Sequence, residues 1–507
     1  MPNTDSLPAY GRLEERFRRI SALEQASGVL DWDRATMMPN GGADARTDQL
    51  TALEVTCHEL LTHPEVRDWL DAAEAEAASD PESLDDWRRA NLSEMRRKWR
   101  HASAVDADLV AAMTEAEARC EMIWREARPQ SDFAAVRPAL QAVLDLTREM
   151  AAAKAEAFGG SPYDALLDSY EPGGASAEID RLFDDLAAFL PGFLSEVLDA
   201  QAKRGEAETP QGPFPIEAQA ELGRRLMAAV GFEFAHGRLD VSHHPFCGGV
   251  PDDVRITTRY DESDFASALM AVLHETGHAL YERGLPADWR LQPVGQARGM
   301  AMHESQSLLV EMQACRSPHF LAFLAPLARE AFGGQGPAWE AENLHRLWTR
   351  VQPDFIRVDA DEVTYPAHVI LRYRLERRLL DGALDLAELP AAWNDGMQAL
   401  LGIRPPEDRL GCLQDIHWFA GAWGYFPTYT LGAMTAAQLY QAAEQALPEL
   451  PEKLTKGDFS VLVQWLRETI HSQGSRISGD ALITAASGRS LDPEVFKAHL
   501  RRRYLDA

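Results

Sequence analysis

The stretch ALMAVLHETGHALYERGL, residues 268–285, carries two histidines and a glutamate within a largely apolar pattern. Leu269 and Val272 lie on an apolar face whose steps of three and four predict an α-helix. Asp261 or Ser263 is the expected N-terminal cap of that helix. The polar residues therefore lie on a helix whose composition is typical of a protein interior.

His274 and His278 point the same way, because residues four apart share one face of a helix. Imidazole nitrogens bind zinc at about 2.0–2.1 Å, so the pair can meet on one ion. Glu275 is rotated by about 100° from His274, too far for an easy third ligand but near enough to reach the attacking water. This H-E-x-x-H arrangement is typical of zinc peptidases, in which the glutamate is the general base.

Two alternatives to a metal site are a chance match and a pair of core histidines bonded to the backbone. Histidine accounts for 15 of 507 residues, so a random H-E-x-x-H is rare in a chain of this length. Gly277 costs about 1 kcal/mol inside a helix, which indicates that another element packs closely there. The helical context and the glycine both favour the metal site.

A catalytic zinc needs a third protein ligand and one open position. The metzincin class is excluded, because its pattern requires glycine at 281 and histidine at 284, where this chain has Tyr281 and Gly284. The helical segment GQARGMAMHESQSLLVEMQACR offers Glu304, 26 residues after His278, and Glu311, about two turns further along. Spacing favours Glu304. Glu311 is the competitor, and its alternative interpretation is a solvated surface glutamate.

Two histidines and one glutamate around a divalent ion predict hydrolysis of an amide bond. Glu275 would take the proton of the attacking water and pass it to the leaving amine. These residues alone leave open whether the enzyme is an endopeptidase or an exopeptidase.

Composition disfavours several classes of partner. The formal net charge of −29 opposes binding to nucleic acid and to anionic membranes. The N-terminus has no apolar signal region, and no run of about 18 apolar residues predicts a membrane span. Five widely spaced cysteines without a CxxC fit reduced thiols in the cytoplasm. We therefore expect a soluble, cytoplasmic protein.

The pattern along the chain is mostly helical as far as the segment RGEAETPQGPFPIEAQ (204–219), which is the best candidate break. Apolar alternation at residues 239–241 and again at 254–258 predicts two strands of a small sheet. Helical patterns return after Asp261 and continue almost to the C-terminus.

Further strings resemble the carboxypeptidase Taq family of metallocarboxypeptidases. In chain order they are LDWDRATMMPNGGADAR (30–46), YDALLDSYEPG (163–173), HPF (244–246), DVRIT (253–257), HETGH (274–278), HES followed by Gln306, IRVDAD (356–361) and GCLQDIHW (411–418). Each string alone is weakly specific, whereas the ordered set is strongly specific.

The resemblance implies a mainly α fold: a large single-body helical peptidase of the gluzincin type, with a deep active-site groove and a small antiparallel β-sheet beside it. It implies one metallocarboxypeptidase domain over residues 1–507, with a mainly helical N-terminal region at 1–215 and a metal-binding catalytic region at 216–507. It also implies a homodimer and one divalent ion per chain, with zinc expected and cobalt or manganese as alternatives. The substrates would be peptides with a free C-terminus, cleaved with broad specificity.

Carried over residue by residue, the resemblance makes His274 and His278 metal ligands and Glu275 the general base. It makes Glu304 the third ligand in preference to Glu311.

Arg357 in IRVDAD is the candidate for binding the terminal carboxylate of the substrate, since a planar guanidinium offers paired charged hydrogen bonds. Its alternative role is an ion pair with Asp359 or Asp361. Arg255 in DVRIT is a second substrate-binding candidate, or equally a brace of the groove wall through Asp253.

His417 in QDIHW and Tyr429 in GYFPTYTLG are candidate donors to the oxyanion of the tetrahedral intermediate. His244 in HPF is a further substrate-binding candidate. For each of the three, the alternative is a side chain hydrogen-bonded for structural reasons.

Two other functions stay open at this point. An endopeptidase or oligopeptidase with the same metal centre would lack a fixed arginine for the terminal carboxylate and would cut amidated peptides. A non-catalytic helical protein with a structural zinc is disfavoured by Glu275, because a structural site closes its fourth position with another ligand and needs no base.

Overall fold

The computed structural model describes residues 8–506, which are mainly helical. The region that precedes the candidate break consists of α1 (Ala9–Thr36), α2 (Ala43–Thr62), α3 (Pro64–Ser79), α4 (Asp86–Ser103), α5 (Ala107–Ala127), α6 (Phe133–Phe158), α7 (Pro162–Leu167) and α8 (Ser176–Arg204). Residues 205–215 then form an irregular connection, as the proline- and glycine-rich sequence predicts.

The region after the connection combines one small sheet with helices. Its helices are α9 (Ile216–Val230), α10 (Phe265–Gly284), α11 (Gly299–Leu308), α12 (Pro318–Phe332), α13 (Ala341–Trp348), α14 (Tyr365–Leu380), α15 (Leu389–Leu401), α16 (Pro427–Ala446), α17 (Leu450–Leu454), α18 (Ser460–Thr469), α19 (Gly479–Ser487) and α20 (Pro493–Tyr504). Helix α11 continues directly into a π-helical turn, Leu309–Ala314. Across residues 8–506, no helix has the length and apolar character needed to cross a bilayer.

The sheet has three strands, β1 (Gly237–Val241), β2 (Cys247–Val250) and β3 (Asp253–Thr258), in the order β1-β3-β2. The two expected strands are present, and the sequence CGGV of β2 was missed because it lacks apolar alternation. The expectation of an antiparallel sheet is wrong for one pair: β2 and β3 are antiparallel, whereas β1 and β3 are parallel. The chain reverses between β1 and β2 and again before β3, so the two reversals together leave β1 and β3 running in one direction.

Two helices cover the opposite faces of this sheet. Ile256 points to one face and packs in a cluster with Val272 of α10. On the other face the guanidinium groups of Arg238 and Arg255 lie over the ring of Trp32 in α1, at 5.1 and 4.4 Å from its centroid. The sheet therefore fixes α10 against the N-terminal helices.

The largest hydrophobic cluster joins the two regions of the chain. Leu140 of α6 and Leu186 of α8 pack in it with Ile370 of α14 and Trp393 of α15. A second cluster surrounds α10, α12 and α16. Because the first cluster crosses the connection at residues 205–215, the helices on both sides of it form a single body, as the family resemblance implies.

Candidate metal centre and active site

Helix α10 carries the H-E-x-x-H residues and begins after Asp264. The Asp264 carboxylate accepts hydrogen bonds from the backbone N–H groups of Ala266 and Ser267. Asp264 is therefore the N-cap, and the expected caps Asp261 and Ser263 are wrong. Asp261 instead accepts from the backbone N–H and the hydroxyl of Ser263, which stabilises the preceding turn.

Three side chains converge where the sequence predicts a metal. The carboxylate oxygen Oε2 of Glu304 lies 3.7 Å from Nε2 of His274 and 3.5 Å from Nε2 of His278. Ligands held at zinc-binding distances in a tetrahedral arrangement would be about 3.3 Å apart. Within residues 8–506 this is the one cluster of three His, Cys, Asp or Glu side chains whose donor atoms lie close enough together to share an ion.

Glycines allow Glu304 to approach the two histidines. A Cβ atom on Gly277 would lie 2.5 Å from the carbonyl oxygen of Gln306 and 2.6 Å from the Cα of Ser307. The close packing inferred from Gly277 is therefore confirmed, and its partner is α11. Gly432 of α16 has the same role on the other side, since a Cβ there would lie 2.8 Å from the Cβ of Glu304.

Glu311 orients His274 through Nδ1, the ring nitrogen that is not directed at Glu304. Its Oε2 lies 3.0 Å from Nδ1 of His274, and its Oε1 accepts from Nη2 of Arg316 at 2.6 Å. An ionised carboxylate only accepts, so Nδ1 of His274 carries the proton and Nε2 is left free for a metal. Glu311 is buried in the π-helical turn, and its interpretation as a solvated surface residue is wrong.

His278 is oriented by a neighbouring histidine. Its Nδ1 lies 3.1 Å from the carbonyl oxygen of His303 and 2.7 Å from Nδ1 of the same residue. Nε2 of His303 lies 2.8 Å from Oε1 of Glu282. That carboxylate fixes the His303 proton on Nε2, so Nδ1 of His303 is an acceptor and the proton of His278 lies on Nδ1.

Glu275 lies beside these donors and is buried, with 6% of its surface exposed. Burial raises the pKa of Glu275 to about 7; the carboxylate of Glu304 adds to this effect, and His274 opposes it. A carboxylate with this pKa can accept and release a proton near neutral pH.

Arg357 is buried and held by residues that the sequence did not suggest. Its Nε and Nη2 donate to Oδ1 of Asp415 at 3.0 and 2.8 Å, and its Nη1 donates to the hydroxyl of Tyr365 at 3.0 Å. The alternative pairing with Asp359 or Asp361 is wrong. Asp361 instead accepts backbone hydrogen bonds at the start of α14.

His417 and Tyr429 lie together next to this arginine. The hydroxyl of Tyr429 lies 3.1 Å from Nε2 of His417, and its ring centroid is 4.9 Å from the guanidinium carbon of Arg357. Burial lowers the pKa of His417 to about 4, so the imidazole is neutral at pH 7. Tyr429 precedes Gly432 by about one turn of α16, so both lie on the face of that helix that is turned towards Glu304.

Arg255 and His244 lie on the sheet and the loop beside it. Arg255 donates to Asp253 at 2.6–3.1 Å and stacks on Trp32, so the bracing contact allowed by the sequence is present. His244 is exposed, and its ring packs against that of His243 with centroids 4.6 Å apart. The side-chain hydrogen bonds of Arg255 and the backbone hydrogen bond of His244 join them to neighbours on the sheet side rather than to the metal-binding candidates or Arg357.

Around Arg357, sequence reasoning missed three groups: Asp415, Tyr365 and Arg372, which is the second arginine bound to Asp415. Asp415 lies inside the string QDIHW, which the sequence analysis singled out, but nothing in the sequence pairs it with Arg357. Arg372 stands within the apolar run AHVILRY of α14, and a charged residue in a buried helix is a signal for a paired or functional group.

A helical body in which two histidines and a glutamate converge beside a buried glutamate of H-E-x-x-H defines a metallopeptidase. The chain belongs to the carboxypeptidase Taq (M32) metallopeptidase family, whose model matches residues 12–504. It is therefore a metallocarboxypeptidase, and the family resemblance in the sequence is confirmed.

Named relatives and solved structures match this chain over nearly its full length. The chain is 38% identical over 505 residues to thermostable carboxypeptidase 1 of Thermus thermophilus, covering 98% of each. It resembles the solved structure of Trypanosoma cruzi metallocarboxypeptidase 1 with a TM-score of 0.96 and 41% identity, covering 98% of this chain and 99% of that one. The M32 carboxypeptidase of Deinococcus radiodurans R1 gives a TM-score of 0.91 at 34% identity, with 98% and 99% coverage.

Proposed function

We propose that this metallocarboxypeptidase releases single residues from the free C-termini of peptides at one metal centre held by His274, His278 and Glu304. The observation that carries the proposal is the convergence of the three donor atoms, with Glu304 within 3.5–3.7 Å of both imidazoles. The orientation of each histidine through its Nδ1 supports it, because such outer partners fix the tautomer that binds a metal.

Zinc is the ion that we propose, since two imidazoles and a carboxylate are ligands typical of catalytic zinc; cobalt and manganese are alternatives. A bound zinc would lower the pKa of the attacking water and polarise the scissile carbonyl. Glu275 accepts the proton of that water and passes it to the leaving amine. The burial of Glu275 beside these donors supports this role.

Arg357 binds the terminal carboxylate in this proposal. Three of its five N–H groups are used by Asp415 and Tyr365, which leaves one N–H on Nη1 and one on Nη2. Free N–H groups on both terminal nitrogens suit paired hydrogen bonds to a carboxylate.

Tyr429 and His417 stabilise the oxyanion, with the Tyr429 hydroxyl as donor and His417 as its hydrogen-bond partner. Arg255 and His244 contact the substrate along the sheet side of the groove. For these last two residues the support is the resemblance of DVRIT and HPF to the family.

The test compares blocked peptides that differ only at the C-terminus, as free acid and as amide, with metal-loaded protein. Stepwise loss of residues from the free acid alone is expected. Equal cleavage of both forms would mean that the enzyme is an endopeptidase or oligopeptidase with this metal centre. Glu275→Gln should retain one metal ion per chain by elemental analysis while losing nearly all activity, and surviving activity would refute Glu275 as the base.

The remaining proposals concern the whole molecule. The chain, residues 1–507, acts as one catalytic unit, in which the N-terminal region supports the metal-binding region at 216–507 through their shared core. A homodimer rests on the family resemblance, and light scattering measures it. A cytoplasmic location is supported by the five cysteines, all within the described residues and all unpaired.

A further inference from the structure

Asp415 is shared by two buried arginines. Its Oδ2 accepts from Nε of Arg372 at 2.6 Å, while its Oδ1 accepts two hydrogen bonds from Arg357. The side chains of Arg372, Arg357 and Asp415 are 0%, 6% and 11% exposed. The two arginines hold the pKa of Asp415 well below its usual range against the effect of burial, so the carboxylate is ionised.

His368, His417, Tyr365 and Tyr429, which lie around these three side chains, are neutral. Burial lowers the pKa of His368 to about 3 and that of His417 to about 4, and nearby arginines act in the same direction. Burial raises the pKa of Tyr365 and Tyr429, which keeps both phenols protonated. Two guanidinium groups and one carboxylate therefore leave one positive charge in excess.

The two arginines lie in different surroundings. Arg372 lies at the back, fully buried against the ring of Trp393 at 4.5 Å, and donates to the backbone through Nη1. Arg357 lies in front, where Tyr365 and Tyr429 border its guanidinium. With one arginine, Asp415 would form a neutral pair that has no need of another anion. With two, the buried site is one negative charge short, and a buried charge without a partner is strongly unfavourable.

We propose that Arg372 is a positioning and specificity-determining residue. Its guanidinium pairs with Oδ2 of Asp415, and this second positive charge leaves Arg357 free to pair with the terminal carboxylate of the substrate. The proposal rests on the proposed role of Arg357. Arg372 does not touch the peptide; it acts through Asp415, and it makes the site select an anion over a neutral amide.

Binding is measured by calorimetry on zinc-loaded Glu275→Gln protein, so that the peptide is not consumed. The ligands are a blocked tripeptide ending in phenylalanine and the same peptide as its C-terminal amide. In this background Arg372→Gln should weaken binding of the acid about tenfold or more, because Arg357 and Asp415 then form a neutral pair, and leave binding of the amide nearly unchanged. Arg374→Gln is the matched control, because Arg374 is on the same helix but is 43% exposed and pairs with Asp184 on the surface.

A second variant separates charge from structural support. Arg372→Gln combined with Asp415→Asn restores a net charge of +1 to the site, carried by Arg357, while removing the ion pairs between the three side chains. The proposal expects this double variant to bind the acid more tightly than Arg372→Gln alone. A purely structural role for Arg372 would make the double variant the weakest binder, and that result would overturn the proposal.

The outcome also distinguishes this inference from the assignment of Arg357. If Arg357→Ala removes the preference for the acid and Arg372→Gln does not, only the role of Arg372 is refuted. If neither substitution changes the preference, the carboxylate binds elsewhere and both assignments fail. Equal weakening of acid and amide by Arg372→Gln would likewise refute a role in selecting the carboxylate.

Discussion

Nδ1 of His274 and Oε2 of Glu311 lie 3.0 Å apart, and the other oxygen of Glu311 is bound by Arg316. The order Arg316–Glu311–His274 fixes the imidazole in the tautomer whose Nε2 faces Glu304. The residue that competes with Glu304 in the sequence thus orients the imidazole of His274.

Glu311→Ala should lower zinc affinity by about 100-fold and Glu311→Gln by about tenfold, because loss of an outer partner of a metal-binding histidine typically has effects of this size. Titration with zinc in competition with a chelator measures the change. The control is Glu330→Gln on the exposed side of α12. Unchanged zinc affinity in both Glu311 variants would show that His274 does not need this carboxylate, or does not bind the metal.

Gly277→Ala should destabilise the protein although alanine is the better helix former. The propensity gain is about 1 kcal/mol, whereas the new Cβ would meet the backbone of α11 at 2.5–2.6 Å, and overpacking of this kind costs about 1–3 kcal/mol or more. We expect a lower Tm and weaker zinc binding, since α11 carries Glu304.

Gly192→Ala is the matched control for that substitution. Gly192 also lies inside a helix, α8, but a Cβ there meets nothing within 4 Å. It should leave zinc affinity unchanged and raise stability by up to about 1 kcal/mol. A Gly277→Ala protein as stable as the Gly192→Ala protein would contradict the close packing of α10 on α11.

The residues of α10 and α11 were predictable because their signals are local. His274 and His278 are one turn apart, and Gly277 marks the contact between the helices. Spacing favours Glu304 over Glu311, and the family resemblance makes the same choice. The arguments for the two histidines and for Gly277 use only neighbouring positions of one helix, and α10 is an uninterrupted helix over these positions.

The support of Arg357 was not predictable in the same way. Arg357 and Asp415 are 58 positions apart, and Arg357 has two nearer carboxylates, Asp359 and Asp361, that a local argument prefers. Asp361 instead accepts hydrogen bonds from backbone N–H groups at the start of α14. Strand β2 was missed for a related reason, since its two glycines carry no pattern and its place is set by pairing with β3.

Tyr429→Phe should lower kcat by about 10–100-fold with little change in KM, because a donor to the oxyanion acts only in the transition state. The ring that lies over Arg357 is retained, so binding of the carboxylate is preserved. Steady-state kinetics on a free-acid peptide give both constants. Tyr440→Phe, on the same helix but in the second hydrophobic cluster, is the control. A raised KM with normal kcat would instead make Tyr429 a substrate-binding residue.

The contribution of Glu376 to the free energy of unfolding should fall as pH rises above 4.5. Glu376 is completely buried, and it accepts from Tyr163 at 2.5 Å, from the indole N–H of Trp418 at 3.0 Å and from the backbone of Gly424 at 3.5 Å. Burial raises the pKa of Glu376 to about 7, and the three hydrogen bonds only partly offset this effect.

The folded state therefore holds the proton of Glu376 more tightly than the unfolded chain, whose glutamate titrates near 4.5. Between these two values the folded state binds more protons, so the free energy of unfolding decreases with pH, by about 3 kcal/mol in total. The contribution is fully present below pH 4.5 and is lost as pH rises through about 7. Glu376→Gln keeps an acceptor for Trp418 and a donor for the Tyr163 oxygen but carries no charge, so it should remove this contribution.

Urea unfolding at a series of pH values between 4.5 and 8.5 measures the effect as a difference between the variant and the parent. Glu376→Gln should be close to the parent at low pH and more stable than it at pH 8, while Glu342→Gln, at an exposed position of α13, should follow the parent throughout. A Glu376→Gln protein that is less stable than the parent at pH 8 by more than at pH 5 would show that the carboxylate is ionised and stabilising in the fold.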